Sequence, residues 1–301
     1  MRCSLSTWFR VSRINFLPVS LLPYTVGALW GLRSGAFSFG VFIVGLAGTG
    51  LVHVTANLFN EYWDFRQGAD SLMGEYSPHY GGSRSIQRGA VAPSSVRRAA
   101  WLCLVSALAS GFVLSVILMS PLLLGMIVGA AFIAWAYTAR PLSLSYRGLG
   151  EASLFIAFGP LLVGGGYYLQ AMRLDLSVIL LSVPSGLLVT ALLVANEVAD
   201  VRTDSHAGKA NLAVRWGAGR ASVLVAAFLL LAYLVTGTAT VCGVFSPAFL
   251  FSFLTAPLAL QSFLSLRRSI SAGAGFRESS AGMFRFFCLY HCSIALIIML
   301  T

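Results

Sequence analysis

Nine stretches of about 20 residues, each nearly free of charge, constrain this chain more than any other feature. They cover residues 14–33, 38–60, 96–118, 121–139, 151–171, 176–198, 220–241, 244–266 and 281–300. About 20 apolar residues in a helix cross the hydrocarbon of a bilayer. Inside that layer a backbone finds no water, and a helix satisfies its polar groups within one segment. The sequence therefore predicts an all-α polytopic membrane protein, a bundle of about nine transmembrane helices. Composition agrees: 57% hydrophobic residues, 10% charged residues and a mean hydropathy of +0.83 exclude an ordinary soluble domain. No polar segment is long enough to fold separately in water, so residues 1–301 are read as one integral-membrane domain.

Short turns are expected at Ser120-Pro121 and near Ser246-Pro247, while Pro160 and Pro184 fall inside spans. Gly27/Gly31 and Gly125/Gly129 are small residues four apart, a spacing that lets membrane helices approach closely. Arg2, Arg10 and Arg13 precede the first apolar run as in a signal peptide. Pro18 and Pro23 interrupt that run and no small-residue cleavage site follows, so it is read as a retained first span. With that topology, 18 of the 20 Lys and Arg fall on the side of the N-terminus and even-numbered loops, leaving Arg33 and Arg173 opposite. Positive charge marks the cytoplasmic side, so the N-terminus is predicted to be cytoplasmic and the chain to lie in the cell membrane. The net charge of +10 is spread between apolar runs with no basic face, so it points to orientation and to anionic lipids or ligands, with no nucleic-acid partner. The five cysteines form no disulfide framework; Cys288, His291 and Cys292 share a helical stretch without a fourth metal ligand.

The acids are as unevenly placed as the bases. Of ten, Glu61, Asp64, Asp70 and Glu75 follow the second run, and Glu197, Asp200 and Asp204 end the sixth. Both groups fall on the predicted cytoplasmic side. A charge at bilayer depth costs several kcal/mol unless it is paired, hydrated or metal-bound. Asn60 and Asp64 are four apart and share a helix face; Asn196, Asp200 and Asp204 repeat that spacing twice. Gly68 offers a helix stop from which Asp70 can turn back. Oxygen donors along a stripe suit a hard cation such as Mg²⁺, which keeps positions for water and phosphate. The candidate ligands are Asn60, Glu61, Asp64, Asp70, Asn196, Asp200 and Asp204. Arg66, Arg84 and Arg88 surround the first stripe, and Arg202 and Lys209 follow the second; such cations beside metals stabilise a diphosphate leaving group. Gly81-Gly82-Ser83-Arg84 is too short for a phosphate loop and reads as a flexible lid, and Arg97 and Arg98 read as interfacial anchors. A lone acid at a helix end is usually a membrane exit paired with Arg, but two asparagine-led stripes on one side are not explained that way.

With these residues in view, the chain resembles, over nearly its whole length, the UbiA superfamily of intramembrane prenyltransferases. Asn60-Glu61-Tyr62-Trp63-Asp64 with Asp70 is similar to its first aspartate-rich motif, with Glu61 in place of the usual aspartate. Asn196-Glu197-Val198-Ala199-Asp200-Val201-Arg202-Thr203-Asp204 and Gly208-Lys209 are similar to the second, and Leu212-Ala213-Val214-Arg215-Trp216-Gly217 also fits. The lead-in Arg10-Val11-Ser12-Arg13-Ile14-Asn15 matches only in part. Asn57-Leu58, Ile86-Gln87-Arg88-Gly89, Tyr137-Thr138-Ala139-Arg140-Pro141, Tyr146-Arg147-Gly148-Leu149-Gly150-Glu151 and Tyr168-Leu169-Gln170 look most like the 1,4-dihydroxy-2-naphthoate polyprenyltransferases of menaquinone synthesis.

The resemblance implies that Asn60, Asp64, Asn196, Asp200 and Asp204 hold Mg²⁺ bridged to an isoprenyl diphosphate, with Arg140 among the diphosphate-binding bases. The allylic C–O bond would open to a carbocation faced by Tyr62, Tyr137 or Tyr146, with Trp63 equally suited to an interfacial belt. An electron-rich aromatic acceptor would then attack, and from dihydroxynaphthoate the carboxylate would leave as CO₂. The apolar bundle would hold the isoprenoid tail. His53 reads first as a helix-packing histidine, with a cavity-facing role as the alternative; His79 and His206 have no assignable role. Two other readings stand beside this one: transfer to a different aromatic or lipid acceptor, and a cation-coupled transporter. The transporter predicts acids in mid-span and an internal repeat, whereas here the acids end their spans. A lipid-binding scaffold would not need both stripes.

Overall fold

The computed structural model describes residues 4–35, 37–69 and 81–301. Asp70, the last predicted ligand of the first stripe, lies outside the described residues, as do Glu75, His79 and Cys3. Every regular element among the described residues is helical. Eleven α-helices follow in order: α1 (Leu5–Val11), α2 (Pro18–Trp30), α3 (Phe39–Gln67), α4 (Pro93–Ile117), α5 (Pro121–Ala136), α6 (Gly150–Ile156), α7 (Leu162–Ala171), α8 (Leu176–His206), α9 (Leu212–Val241), α10 (Ala256–Ala272) and α11 (Phe276–Leu300).

The starts follow local chemistry. Pro18, Pro93 and Pro121 occupy the first helical positions of α2, α4 and α5, where no N–H is needed. Ser38, Ser120, Asp175 and Asn211 cap α3, α5, α8 and α9 with side-chain oxygens that accept a backbone N–H three residues on. Pro160 lies in a π-turn, Ala157–Leu161, that joins α6 to α7 into one span; such turns absorb the N–H that proline lacks.

Seven helical segments among the described residues are long and apolar enough to cross a membrane: α3, α4, α6–α7, α8, α9, Pro247–Ala272 (which includes α10) and α11. The first and fourth predicted windows form shorter helices, α2 of 13 residues and α5 of 16. The 14–33 window is divided because Pro18 starts a new helix after a 3₁₀ turn at Ile14–Phe16, and Gly31–Ser34 tightens into another.

The core lies around α8. Of its most apolar 18 residues 78% are buried, against 6% for α3. Helix α8 packs against α2, α6, α7, α9 and α11, and one continuous apolar cluster joins these helices. Helix α3 instead packs on α4 and turns another face to an internal cavity. The approach of α2 to α7 depends on glycine. A Cβ at Gly27 would lie 2.0 Å from Val163 O, and one at Gly166 would lie 2.5 Å from Tyr24 O. The expected Gly125/Gly129 pair makes no such contact. A Cβ at Gly125 would meet nothing within 4 Å and one at Gly129 only Leu161 Cδ1 at 4.0 Å, because these residues of α5 face away from any neighbouring backbone.

Candidate active site

Helices α3 and α8 stand on opposite sides of an elongated cavity of about 310 Å³. On α3 its wall is the stripe Gly45, Gly48, Val52, Ala56 and Asn60 with Thr49, His53 and Asn57 beside it; on α8 it is Val189, Leu192, Leu193 and Asn196. Both stripes repeat every three to four residues, the period of a helix face. From Asn60 back to Val44, also on the wall, is 16 residues, or roughly 24 Å of helix rise. The far end is apolar, closed by Leu114, Leu123, Met126, Ile127 and Leu169. The head of the cavity is where the two predicted acidic stripes begin.

Local backbone signals place these acids. Helix α3 stops because Gly68 takes φ +80, and the N–H groups of Gly68 and Ala69 return to the carbonyls of Phe65 and Asp64. At the end of α8, Gly208 takes φ +73 and Lys209 N donates to Asp204 O, which folds Lys209 back across the gap. Lys209 Nζ then donates to Asp64 Oδ2 at 3.3 Å and to Asp204 Oδ1 at 3.1 Å. One half-buried cation thus ties the end of the first stripe to the end of the second. Tyr146 completes the corner: its hydroxyl donates to Asp64 Oδ1 at 2.7 Å, and Lys209 Nζ lies 5.3 Å from its ring centroid. Burial disfavours the Lys209 charge, but the carboxylates of Asp64 and Asp204 outweigh it and hold its pKa well above the lysine range. Burial and then the Asp64 carboxylate raise the Tyr146 hydroxyl above the ordinary tyrosine value.

The other acids are engaged through the chain around Gly81-Gly82-Ser83-Arg84. Gly81 N donates to Asp200 Oδ2 at 2.9 Å, and Arg13 Nη2 donates to Gly81 O at 2.5 Å. Glu61, 2% exposed, accepts from Ser83 N at 3.0 Å and from Ser83 Oγ at 2.5 Å, one bond on each carboxylate oxygen. It fastens the segment that the sequence read as a flexible lid. Arg13 reads in the sequence as an orienting charge before the first apolar run, yet it lines the cavity and is a site residue that no spacing singles out. Its αL backbone, φ +48, turns the chain from α1 toward α2 and sets the side chain there. Glu151 also has a definite task, with Oε1 accepting from Leu212 N at 2.6 Å at the start of α9.

The predicted residues therefore separate. Asn60, Asn196 and Tyr137 line the cavity, and Asp64, Asp204, Lys209 and Tyr146 form one bonded cluster. Tyr62 packs outside the cavity, in the α3–α4 cluster with Leu58, Val91 and Val96, and Arg97 lies over its ring. Trp63 belongs to the same cluster. Arg66, Arg88, Arg140 and Arg202 are exposed and do not line the cavity, and Arg140 Nε donates to Gln67 Oε1 at 3.4 Å. Arg84 sits at φ +54 beside Ser83. His206 is exposed and bonds Arg202 O. His291 is bonded to Phe287 O and Ser185 Oγ, which occupies both ring nitrogens away from Cys288 and Cys292.

The donor set suits a hard cation. Asn196 Oδ1 is buried with no hydrogen-bond partner, and Asn196 lines the cavity with Asn60 of the first stripe. Among the described residues no three His, Cys, Asp or Glu side chains close on one point.

Comparison with known proteins identifies the family. The sequence model of the UbiA prenyltransferase family matches residues 20–287. The chain belongs to the UbiA prenyltransferase family. It is accordingly an integral-membrane prenyltransferase. It is 32% identical over 246 residues to the 1,4-dihydroxy-2-naphthoate octaprenyltransferase of Haemophilus influenzae, covering 78% of each chain. It is 31% identical over 277 residues to the enzyme of that name from Mycobacterium tuberculosis, covering 91% of this chain and 89% of that one. The fold matches a UbiA homolog from Archaeoglobus fulgidus bound to DMAPP and Mg²⁺, with a TM-score of 0.70 at 15% identity over 98% of this chain and 100% of that one. The apo UbiA homolog from Aeropyrum pernix gives 0.72 at 18% identity over 94% and 98%.

Proposed function

We propose that this UbiA enzyme transfers a polyprenyl chain from its diphosphate to 1,4-dihydroxy-2-naphthoate, a step of menaquinone synthesis, in a Mg²⁺-dependent reaction. One observation carries this reading: two asparagine-led acidic stripes meet at the polar head of a long apolar cavity, joined by Lys209. The naphthoate acceptor is taken from the relatives that share about 30% identity over most of the chain.

Asn60, Asp64, Asn196, Asp200 and Asp204 would hold the metal. Bound Mg²⁺ would neutralise the diphosphate and favour its departure. The protein's own groups do the rest. Lys209 and Arg13 carry positive charge at the cavity head, where the diphosphate charge grows as the allylic C1–O bond breaks and its electron pair leaves with oxygen. Tyr137 lines the same cavity, and the π electrons of its ring would stabilise the allylic cation. The apolar wall holds the tail and keeps water from the cation. A ring carbon of the acceptor supplies the electron pair for the new C–C bond, and the carboxylate on that carbon leaves as CO₂. The N-terminus and the site face the cytoplasm, where 18 of the 20 bases are expected.

The test incubates membranes containing the protein with radiolabelled isoprenyl diphosphate, Mg²⁺ and a panel of aromatic acceptors. Labelled product with dihydroxynaphthoate and none in EDTA is the expected result. Asp64→Asn and Asp200→Asn should each lose about 10²- to 10³-fold in rate, the scale of one lost electrostatic group in an active site, while remaining inserted and folded. Full turnover in both variants would overturn the two-wall site, and product only with another acceptor would overturn the naphthoate assignment.

A further inference from the structure

One polar group on the cavity wall has no part in the diphosphate site. His53 lies on α3, 8% exposed, seven residues before Asn60 and so on the same helix face, roughly 10 Å deeper in the cavity. Its Nδ1 is 2.7 Å from Ser20 Oγ, which α2 brings to the same wall. Its Nε2 is buried and has no hydrogen-bond partner. The Arg13 backbone also bears on the ring, and Arg13 is the charged residue that acts on it. Asn57, one turn toward the site, donates Nδ2 to His53 O, so its amide hydrogen is already engaged, and Thr49 is the next polar residue of α3 on the wall beyond His53.

A buried imidazole nitrogen without a partner costs free energy unless something else uses it. An isoprenoid tail offers it nothing, because the tail is hydrocarbon. The acceptor is different: it must bring a ring carbon within about 3–3.5 Å of the allylic carbon, and its hydroxyls need polar partners on the cavity wall. His53 is a polar group on that wall.

We propose that His53, oriented by Ser20, is the group that binds an acceptor hydroxyl and takes its proton; this rests on the aromatic-acceptor reading above. In the tautomer with hydrogen on Nδ1, that N–H donates to Ser20 Oγ and the Nε2 lone pair faces the cavity. The hydroxyl proton moves to Nε2, and the oxygen's electron pair flows into the ring. The ring carbon forms the C–C bond to the isoprenyl C1 as the C1–O pair leaves with the diphosphate. When the carboxylate departs as CO₂, the freed pair restores the aromatic ring, and the ring oxygen takes its proton back from His53. The histidine ends as it began, and the step needs no oxidant or further acid. Arg13, at the near end of the wall, stabilises the transient naphtholate.

The experiment uses the full-length protein in lipid nanodiscs and compares His53→Gln and Ser20→Ala with wild type. His53→Gln keeps a hydrogen-bonding side chain of similar size but removes the base. The expected result is a kcat lowered about 10²-fold or more, the usual contribution of general-base catalysis. The KM for isoprenyl diphosphate should stay within about twofold. The acid limb of the wild-type pH–rate profile, set by protonation of His53, should flatten. Acceptors with a more acidic hydroxyl should recover most of the rate in the variant but not change wild type. Ser20→Ala should lower kcat less and leave that limb in place. Unchanged kcat and an unchanged acid limb in His53→Gln would overturn the proposal. So would an equal loss with every acceptor accompanied by a lower melting temperature, which marks a packing role. A wild-type enzyme that prenylates no hydroxylated aromatic refutes the functional reading itself, and with it this assignment.

Discussion

Replacing Lys209 by methionine tests the bridge between the two walls. The ammonium is 15% exposed and lies 3.3 Å from Asp64 Oδ2 and 3.1 Å from Asp204 Oδ1. At an effective dielectric of about 20, each pair at such a distance has about 5 kcal/mol of gross attraction. Desolvation of three charges offsets much of that. What remains after the substitution is two buried carboxylates with no cation between them, and breaking a buried pair in this way costs about 3–5 kcal/mol. On melting temperature this is a drop on the order of 10 °C. The distinguishing feature is its dependence on ligand. With Mg²⁺ and a non-hydrolysable isoprenyl diphosphate analogue, the metal supplies the missing positive charge, and binding to the folded state adds stability by mass action. The assay is thermal unfolding of wild type and Lys209→Met in detergent, once in EDTA and once with both ligands saturating. Methionine keeps the length and apolar stem, so lost packing is a small part of the difference. A drop of less than about 2 °C in EDTA, or the same drop in both conditions, would refute the reasoning.

Further outcomes follow from neighbouring contacts. The Lys209 pKa is raised in the folded state, so its stabilisation is complete below the unfolded-state value of about 10.4 and is lost as pH rises through the higher folded value. The melting difference between wild type and Lys209→Met should therefore not shrink from about pH 7 to 9; a decline inside that window would contradict the bridge. Glu61→Ala leaves Ser83 N without its buried acceptor, at a cost of about 1–3 kcal/mol, while Ser83 Oγ keeps Ser85 Oγ as a partner. It should raise proteolytic cleavage around residues 81–85, and an unchanged digestion pattern would count against this anchor. Gly27→Val places a Cβ 2.0 Å from Val163 O, so α2 and α7 must separate and the yield of folded protein should collapse, as read by size-exclusion chromatography in detergent. Gly125→Val meets nothing within 4 Å at its Cβ and should fold normally.

Much of this was legible in the sequence, because the bilayer makes local rules binding. Apolar length gives the helices, and the scarcity of acids makes the two stripes conspicuous. The fourfold spacing of Asn60 with Asp64, and of Asn196, Asp200 and Asp204, places each set on one helix face without reference to the rest of the fold. Proline and glycine at Pro121, Gly68 and Gly208 locate starts and stops through φ and the missing N–H. What the sequence could not supply is which residue meets which across the gap. Lys209 joins Asp64 over 145 positions, Tyr146 reaches Asp64 over 82, and Gly81 reaches Asp200 over 119. Those pairings depend on how α3 and α8 are held apart by the other helices. The same cause separates Arg13, placed on the cavity by one left-handed residue, from Arg66, Arg88 and Arg202, which adjoin the motifs in sequence and yet are exposed. It also sends Tyr62 into the α3–α4 contact while Asn60, two residues earlier, faces the cavity, since two residues on a helix turn through about 200°. The sequence by itself determined the helices, their ends and the donor atoms. Only tertiary packing decided that those donors would face one another at the head of an apolar cavity, because that arrangement depends on contacts between helices far apart in the chain.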